Sequence, residues 1–352
     1  MRITAISDIH LRNIDSWGVI QEGINSRLRD RINILKFAIN YGIENKSDLF
    51  VIGGDICDKM NPSESLRKIF IETAVIPLVN AGIPIVLVVG NHDTNFSISS
   101  FETDSLLLDS VKEGILTFVS SPIILDIQNN PIYFIPYGAD IPQENEGCRI
   151  LFGHHGIEGA ETGVGVKQRA GEEKQALDFK AFEYTFLGHY HKPQELITSY
   201  QHNRIIYIGS TNIWDMGERL DKKRLLDITV EDKITIKSIL LPERKFLQLE
   251  IKEGESWEFT DDIRDACVKT IYRGSRKWIN SLDFESIRRA YEQFSPHRVI
   301  PEIKIIDEQR VSKEIFKEGE TLEAAIIREC ERRGMSEEEI RLGLDIFNSI
   351  NA

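Results

Sequence analysis

Apolar and polar residues alternate along this chain with two different periods. Short runs rich in Val, Ile, Phe and Tyr, bounded by Gly, Asn, Pro or Asp, predict β-strands. These runs cover residues 2–7, 49–52, 84–89, 123–127, 132–136, 149–152, 184–187, 204–208 and 234–241. Between the early strands, apolar residues recur at helical spacing, which predicts helices over about 27–45 and 63–81. Strand-helix alternation followed mostly by strands favours a layered α/β sandwich.

The pattern changes near Pro242 and predicts three domains, at 1–242, 243–312 and 313–352. The middle segment has the pattern of a small α+β unit, with strands at 246–251, 269–273 and 298–306 and helices at 261–269 and 283–294. The last segment predicts two helices with apolar stripes. The stripes are formed by Leu322, Ala325, Ile326 and Cys330 in one helix, and by Ile340, Leu344, Phe347 and Ile350 in the other.

Five short motifs rich in histidine and carboxylate follow predicted strands. In chain order they are Asp8-Ile9-His10, Gly54-Asp55, Gly90-Asn91-His92-Asp93, Gly153-His154-His155 and Gly188-His189-Tyr190-His191. Strands that end in loops deliver side chains to one edge of a sheet, where ligands collect in α/β folds. Carboxylate, imidazole and amide oxygen together suit Mn, Fe or Zn better than Mg or Ca. The motifs therefore predict a phosphoesterase with two divalent metal ions.

Each motif alone has a structural alternative. Gly54-Asp55 is also a common turn, and Asp58 also suits a helix cap. Asn91 and Asp93 favour tight turns, and His154-His155 also suits a protein core. The occurrence of all five motifs in one order, each at the end of a strand, favours a single site over these separate interpretations.

The motif series resembles the calcineurin-like metallophosphoesterase superfamily over about residues 1–241. The resemblance implies a four-layer α/β/β/α sandwich with two metals. Carried over position by position, it implies Asp8, His10 and His191 as ligands of one metal, Asn91, His154 and His189 as ligands of the other, and Asp55 as the bridge. His155 stays open as an alternative to His154.

A site of this kind implies a mechanism. Two cations lower the pKa of a shared water and hold the phosphoryl oxygens. The departing alkoxide needs a proton, and His92, beside Asn91 but not itself a ligand, is the predicted donor. Asp93 either orients His92 or is a structural turn residue.

Within the superfamily, three segments resemble the nuclease subunit of SbcCD-type double-strand-break repair complexes. They are residues 1–12, 53–58 and 207–211, and the chain length resembles compact phage members. This resemblance implies a Mn-dependent exo/endonuclease whose C-terminal helices bind an SbcC-type coiled-coil ATPase. It also implies a homodimer through helices at about 63–81 and 103–111. Asp58 departs from archaeal and eukaryotic relatives, which have histidine there, although bacterial members tolerate aspartate.

Charge gives a mixed indication about DNA. The net charge of −13 argues against nucleic acid. The segment from Arg264 to Lys304, however, is basic, because it contains nine Lys or Arg residues and only five Asp or Glu residues. The candidate phosphate contacts are Arg273, Arg276, Lys277, Arg288, Arg289 and Arg298. The alternative is a solvated helix face. The basic run Lys222-Lys223-Arg224 is interpreted as a loop.

Composition predicts a cytoplasmic protein. Four widely spaced cysteines without a CxxC pair suit free thiols in a reducing compartment. No apolar run approaches the roughly 20 residues of a membrane span, and the first motif leaves no room for a signal peptide. Two other functions stay open: a phosphatase or small-molecule phosphodiesterase using the same site, and a non-catalytic DNA-end scaffold.

Overall fold

The computed structural model describes most of the 352 residues. The described residues are 1–93, 113–162, 174–196, 203–255, 258–306 and single residues between 324 and 341. The predicted helix at 103–111 lies outside them, as do Leu322, Ala325, Ile326, Leu344, Phe347 and Ile350 of the C-terminal stripes. Cys330 and Ile340 have helical backbone, and the side chain of Ile340 is buried.

The described helices and strands are numbered in chain order. The helices are α1 (Ser26–Glu44), α2 (Glu64–Phe70), α3 (Ile76–Asn80), α4 (Arg276–Ser281) and α5 (Phe284–Glu292). A π-helical turn, Ile71–Val75, joins α2 to α3. The strands are β1 (Arg2–Ile6), β2 (Ile20–Gln21), β3 (Ile24–Asn25), β4 (Leu49–Ile52), β5 (Ile85–Val88), β6 (Leu116–Val119), β7 (Ile123–Ile127), β8 (Asn130–Ile135), β9 (Ile150–His154), β10 (Tyr184–Gly188), β11 (Gln194–Leu196), β12 (Arg204–Tyr207), β13 (Arg224–Val230), β14 (Ile234–Leu240), β15 (Phe246–Lys252), β16 (Cys267–Gly274) and β17 (Arg298–Ile305).

Two six-stranded sheets form the main body. The first has the order β14-β13-β1-β4-β5-β6, and the second has the order β11-β12-β10-β9-β8-β7. β1, β4, β5 and β6 are parallel to one another, and so are β8, β9, β10 and β12. Because their strands are parallel, each sheet brings several strand ends to one edge, which is where the motifs were expected to meet.

The apolar runs are nearly continuous because both faces of the central strands are buried. Val51 and Val88 of the first sheet pack between the sheets with Phe152 and Phe186 of the second. On the outer face of the first sheet, Phe50 packs with residues of α1 and of the segment from α2 to α3. Two sheets packed face to face, with helices against an outer face, confirm the predicted α/β sandwich.

The outer face of the second sheet is covered differently. Leu151, Leu187 and Tyr207 pack there with Phe179 and Phe182. In the part of the chain that the structure describes, the only helix in this cluster is the 3-10 turn Ala176–Phe179. Among the described residues, this layer contains no helix as long as α1.

The chain as a whole divides into two compact units. The first contains Met1–Ile251, Glu255–Ile271 and Asp283–Glu302, and the second contains Lys252–Gly254, Tyr272–Leu282 and Ile303–Ala352. β15, β16 and β17 form a three-stranded sheet in that order.

The helix predicted at 261–269 is wrong. A 3-10 turn, Asp261–Ile263, is followed shortly by β16. The β-branched and aromatic residues of Cys267–Gly274 favour a strand, and most of them are buried. The short helix α4, capped by the Ser275 side chain, was not predicted.

A buried ion pair fixes the loop after the first motif. Arg31 of α1 contacts Asp15 at 2.8 Å, and both side chains are almost fully buried. Asp15 also accepts a hydrogen bond from Arg12 at 2.8 Å. Burial alone would raise the pKa of Asp15, but the attraction of Arg31 and the hydrogen bonds lower it from 3.8 to about 2.

We expect Asp15→Asn to destabilise the fold by roughly 3 kcal/mol, because it leaves the Arg31 charge buried without a counterion. The folded pKa is depressed, so the stabilisation is present above pH 3.8 and is lost as pH falls towards about 2. Urea unfolding measured across this range should show that loss in the wild type and a smaller one in the variant. Glu72→Gln is the control, because Glu72 forms an exposed pair with Lys68. Equal destabilisation by the two substitutions would contradict the argument.

Candidate metal centre

The five motifs meet at one edge of the sandwich. Asp8 and His10 follow β1, Asp55 follows β4, and Asn91 follows β5, all in the first sheet. His154 ends β9, and His189 and His191 follow β10, in the second sheet. We call the predicted ligands Asp8, His10 and His191 the first ligand set, and the predicted ligands Asn91, His154 and His189 the second ligand set.

The first ligand set directs two imidazole rings at each other. The Nε2 atoms of His10 and His191 are 3.0 Å apart. His10 Nε2 also lies 3.9 Å from an Asp8 oxygen. Burial and the charge of His191 hold the pKa of His10 well below its usual range, so its ring is neutral and able to donate an electron pair. Facing nitrogens beside a buried carboxylate suit a shared cation.

The second ligand set converges on an amide oxygen. Asn91 Oδ1 lies 3.1 Å from His154 Nε2 and 3.0 Å from His189 Nδ1. His154 Nδ1 contacts the Gly53 carbonyl at 2.7 Å, and we assign the proton to this nitrogen because a carbonyl only accepts. Burial would lower the pKa of His154, but the neighbouring Asp55 carboxylate raises it to about 9, so a cation would have to displace the Nε2 proton before this nitrogen could act as a ligand.

Asp55 lies between the two sets. One carboxylate oxygen is 3.6 Å from His10 Nε2 and 3.4 Å from His154 Nε2. The other accepts the His92 backbone N–H at 2.9 Å. Burial would raise the pKa of Asp55, but the attraction of His154 and the hydrogen bond from the His92 backbone N–H lower it below its usual range, so the carboxylate stays ionised.

The donors fit divalent metals. Among the residues that the structure describes, three overlapping groups of side chains have ligand atoms within 4.8 Å of one another: Asp8, His10 and His191; His10, Asp55 and His92; and Asp8, Asp55 and His154. Carboxylate, neutral imidazole and amide oxygen are the donors that Mn, Fe and Zn accept together. His155 joins none of these groups, and burial lowers the pKa of its ring to about 3.

Several of these side chains project from unusual backbone. Asp8, His10, Asp55 and His189 have positive φ angles of 51°, 47°, 53° and 98°. Such conformations cost about 1–3 kcal/mol each and cluster at functional sites. Hydrogen bonds from Asp8 N–H to the Gly54 carbonyl and from His10 N–H to the Asp55 carbonyl, each of 3.0 Å, hold the first two in place.

Two motif glycines make room for ligand side chains. A Cβ at Gly54 would lie 2.3 Å from His154 Nδ1, and a Cβ at Gly90 would lie 2.2 Å from an Asp55 oxygen. Gly54 also has a φ of +105°, which other residues rarely adopt.

The structure separates the two alternatives for Asp93. Its buried carboxylate accepts backbone N–H groups from Asp55 at 2.6 Å, Ile56 at 3.0 Å and Gly90 at 3.1 Å. The His92 ring is oriented instead by the Asp58 carbonyl, which lies 2.6 Å from Nδ1. Asp93 is therefore a structural residue that ties the second motif to the third.

Sequence reasoning missed Glu218. Its carboxylate lies 2.7 Å from His191 Nδ1 and 2.8 Å from Lys223 Nζ. Burial would raise its pKa, but His191 and Lys223 lower it to about 2. A carboxylate behind a ligating histidine fixes its ring and increases its basicity. Glu218 belongs to no motif, so only the folded chain identifies it.

The loop interpretation of Lys222-Lys223-Arg224 is wrong in part. The Lys223 side chain is fully buried between Glu218 and Asp221, and Arg224 begins β13. Burial of an ammonium group requires such partners. Lys223 thus supports the His191 environment and is not part of a basic surface.

Two aromatic side chains were also missed. The Trp214 ring centroid lies 4.8 Å from that of His10 and 5.5 Å from that of His191, and the Arg12 guanidinium lies 4.0 Å from the indole centroid. Tyr137 lies beside His154 and His189. Neither residue follows a motif that would identify it.

A family model described as calcineurin-like phosphoesterase matches residues 1–193. The chain belongs to this family. The match confirms the predicted family and fold, and it makes the protein a hydrolase of a family that binds divalent metals. All residues of the two ligand sets, Asp55 and His92 lie inside the matched segment.

This phosphoesterase is also similar to individual proteins. It is 26% identical over 286 residues to the SbcCD nuclease subunit SbcD of Staphylococcus epidermidis, covering 72% of this chain and 73% of that protein. A dimetal phosphatase structure from Danio rerio matches with a TM-score of 0.44 and 11% identity, covering 67% and 95% of the two chains. A conserved uncharacterised Streptococcus pneumoniae protein matches with a TM-score of 0.32 and 13% identity, covering 68% and 88%.

The candidate DNA contacts of the phosphoesterase differ in their surroundings and fall into three groups. Arg288 and Arg289 lie on α5 and pair with glutamates of the same helix, as a solvated helix face would. Within the described residues, exposed Arg276, Lys277 and Arg298 have no ion pair. Arg273, near the end of β16, is half-buried.

No helix in the described part of the chain is long and apolar enough to cross a membrane.

We expect Glu218→Gln to weaken binding of one of two divalent ions about 10- to 100-fold, because the amide polarises the His191 ring less than a carboxylate does. Calorimetric titration of the metal-depleted protein with Mn²⁺ measures this directly. Asp221→Asn is the matched control, since Asp221 also pairs with Lys223 but is not the partner of His191. Equal weakening by the two variants would mean that Lys223 burial, not His191, is responsible.

Proposed function

We propose that the protein is a two-metal-dependent DNA nuclease, with exonuclease and endonuclease activity, that acts in double-strand-break repair or recombination. The observation that carries this proposal is the extent of the similarity to the SbcCD nuclease subunit. That similarity covers 72% of the chain, whereas the family match ends at residue 193. It therefore includes residues outside the catalytic segment, where substrate and partner preferences are expected to reside.

The proposed roles follow the geometry of the centre. The first ligand set would hold one cation and the second would hold the other, with Asp55 available to both. When bound, such cations neutralise phosphoryl oxygens and lower the pKa of a shared water. His154 offers Nε2 because Gly53 engages Nδ1, and His191 offers Nε2 because Glu218 engages Nδ1. Both rings are thereby held in the tautomer and orientation that a ligand needs.

His92 is the proposed proton donor. Its backbone N–H is bound by Asp55, and its Nδ1 contacts the Asp58 carbonyl. Nδ1 donates to that carbonyl, so the ring acting as the acid carries a second proton on Nε2 and gives this proton to the departing oxygen. The ring lies edge-on to His10 with centroids 5.0 Å apart, and it is half-buried, so it reaches both the centre and the solvent from which it is reprotonated.

Partner, dimer and metal identity belong to the same proposal. The C-terminal helices from about residue 313 would bind an SbcC-type coiled-coil ATPase, and segment 243–312 would contact DNA. Two copies would associate through the helices at 63–81. Mn²⁺ is the proposed metal, and the cytoplasm is the proposed compartment.

A phosphatase or small-molecule phosphodiesterase is the second candidate. Two observations support it: residues 1–193 contain all the predicted metal ligands and His92, and the chain carries a net charge of −13. This candidate predicts efficient turnover of small phosphoesters without the residues after about 243.

We expect His92→Ala to lower DNA cleavage by about 10²- to 10⁴-fold while both metals still bind, because the variant loses the acid but no ligand. Purified protein is incubated with Mn²⁺ and linear duplex DNA, beside a small phosphodiester. Asp55→Ala is the control that should lose metal as well as cleavage.

Each outcome of that experiment has a meaning. Cleavage of the small substrate alone, even with an SbcC-type ATPase added, would reject the nuclease. Metal-loaded wild type that cleaves neither substrate would favour a scaffold. A His92→Ala variant with normal rates would reject His92 as the acid.

For the DNA contacts, we expect the double variant Arg276→Ala/Lys277→Ala to weaken DNA binding for all sequences alike. The slope of log K against log salt concentration should fall by about 2, one for each phosphate contact. Binding is measured by fluorescence anisotropy at several salt concentrations. Arg288→Ala is the matched control, because that charge is already neutralised by Glu285 and Glu292. An unchanged slope in the double variant would remove these residues from the interface.

A further inference from the structure

An exposed tyrosine stands beside the second ligand set. Tyr137 follows β8, and its backbone N–H donates to the Val89 carbonyl at 2.8 Å. Val89 directly precedes the Gly90-Asn91 motif, so the backbone of Tyr137 is fixed to the strand end that carries Asn91. The side chain is nevertheless 45% exposed. The ring is therefore held beside Asn91 while one part of it remains accessible to a ligand.

The ring contacts the ligand histidines directly. Its centroid lies 5.9 Å from that of His189, with the planes inclined by 29°. It lies 6.2 Å from His154, edge to face, and 6.4 Å from His155, with an inclination of 23°. At these centroid separations the rings are laterally offset, so the histidines cover the tyrosine only in part.

The other aromatic side chain at the centre is already engaged. Trp214 contacts His10 and His191, is half-buried, and has the Arg12 guanidinium 4.0 Å from its ring centroid. Arg12 is in turn held by Asp15. Beside the first ligand set, the Trp214 ring is therefore already packed against the Arg12 guanidinium. Beside the second ligand set, the Tyr137 ring remains accessible to solvent.

We propose that Tyr137 is a substrate-positioning residue that packs against a nucleobase next to the phosphate bound at the second ligand set. This inference rests on the proposed nuclease function. Base–aromatic contacts tolerate any sequence because every base has a π-face. A base inside a duplex is stacked on its neighbours, so Tyr137 would engage an unpaired base. The enzyme should accordingly favour single-stranded or frayed DNA over fully paired DNA.

The test compares the wild type with Tyr137→Ala and Tyr137→Phe in Mn²⁺. The substrates are a single-stranded oligonucleotide and the same oligonucleotide with abasic nucleotides at its cleaved end. We expect Tyr137→Ala to raise KM for the normal strand by about 10-fold or more, with little change in kcat. Tyr137→Phe should behave as the wild type. On the abasic strand, the wild type and Tyr137→Ala should have the same KM, because no base remains to be contacted.

Two controls separate positioning from structural damage. Phe37→Ala removes a similarly exposed aromatic ring, 38% accessible, from α1 and should leave both KM values unchanged. Mn²⁺ binding to Tyr137→Ala, measured without DNA, should match the wild type.

Three results would overturn the inference. The first is an equal effect of Tyr137→Ala on normal and abasic strands, and the second is Tyr137→Phe failing as Tyr137→Ala does. The third is loss of metal by Tyr137→Ala. If the wild type cleaves DNA and Tyr137→Ala cleaves it equally well, only the inference fails. If the wild type cleaves no DNA, the proposed function fails and the inference fails with it.

Discussion

The centre depends on one buried carboxylate between two imidazole rings. Asp55 places an oxygen within 3.6 Å of His10 and 3.4 Å of His154, which come from different sheets. A buried anion is costly unless it is compensated, and the surrounding groups provide that compensation through attraction and a backbone hydrogen bond. The positive φ of Asp55, the missing Cβ at Gly90 beside its other oxygen, and the Asp93 carboxylate that accepts its backbone N–H together hold this carboxylate in place.

The sequence predicted the framework of the centre well because the signals are local. Each ligand candidate directly follows a buried strand, and β-prone apolar runs marked most of those strands. Parallel pairing then brings the strand ends together. β13 escaped prediction although it is an inner strand, because Arg224 and Asp227 interrupt its apolar pattern. In the folded chain, Asp227 is bound by Arg2 and Tyr41, which the sequence does not relate to it.

The groups around the ligands could not be predicted in the same way. Glu218, Trp214 and Tyr137 are positioned by contacts across long sequence separations, and their own neighbours in the chain carry no motif. The number of basic residues in the sequence was a misleading guide to the surface for a related reason. Arg27, Arg31 and Lys223 count as basic residues, yet each is buried in ion pairs and contributes nothing to an external surface. A count of basic residues therefore overstates the number of cationic side chains that the surface of this protein can offer to DNA.

The origin of the ligands has a mechanical consequence. The first ligand set takes Asp8 and His10 from one sheet and His191 from the other, and the second set takes Asn91 from one sheet and two histidines from the other. Any ion that binds both halves of a set acts as a cross-link between the two layers of the sandwich. Ligand binding to the native state alone adds to the free energy of unfolding. The supply of metal would then determine the activity of this enzyme and also its stability against unfolding. Because proteases degrade unfolded chains, it would also determine how long the enzyme persists in a cell.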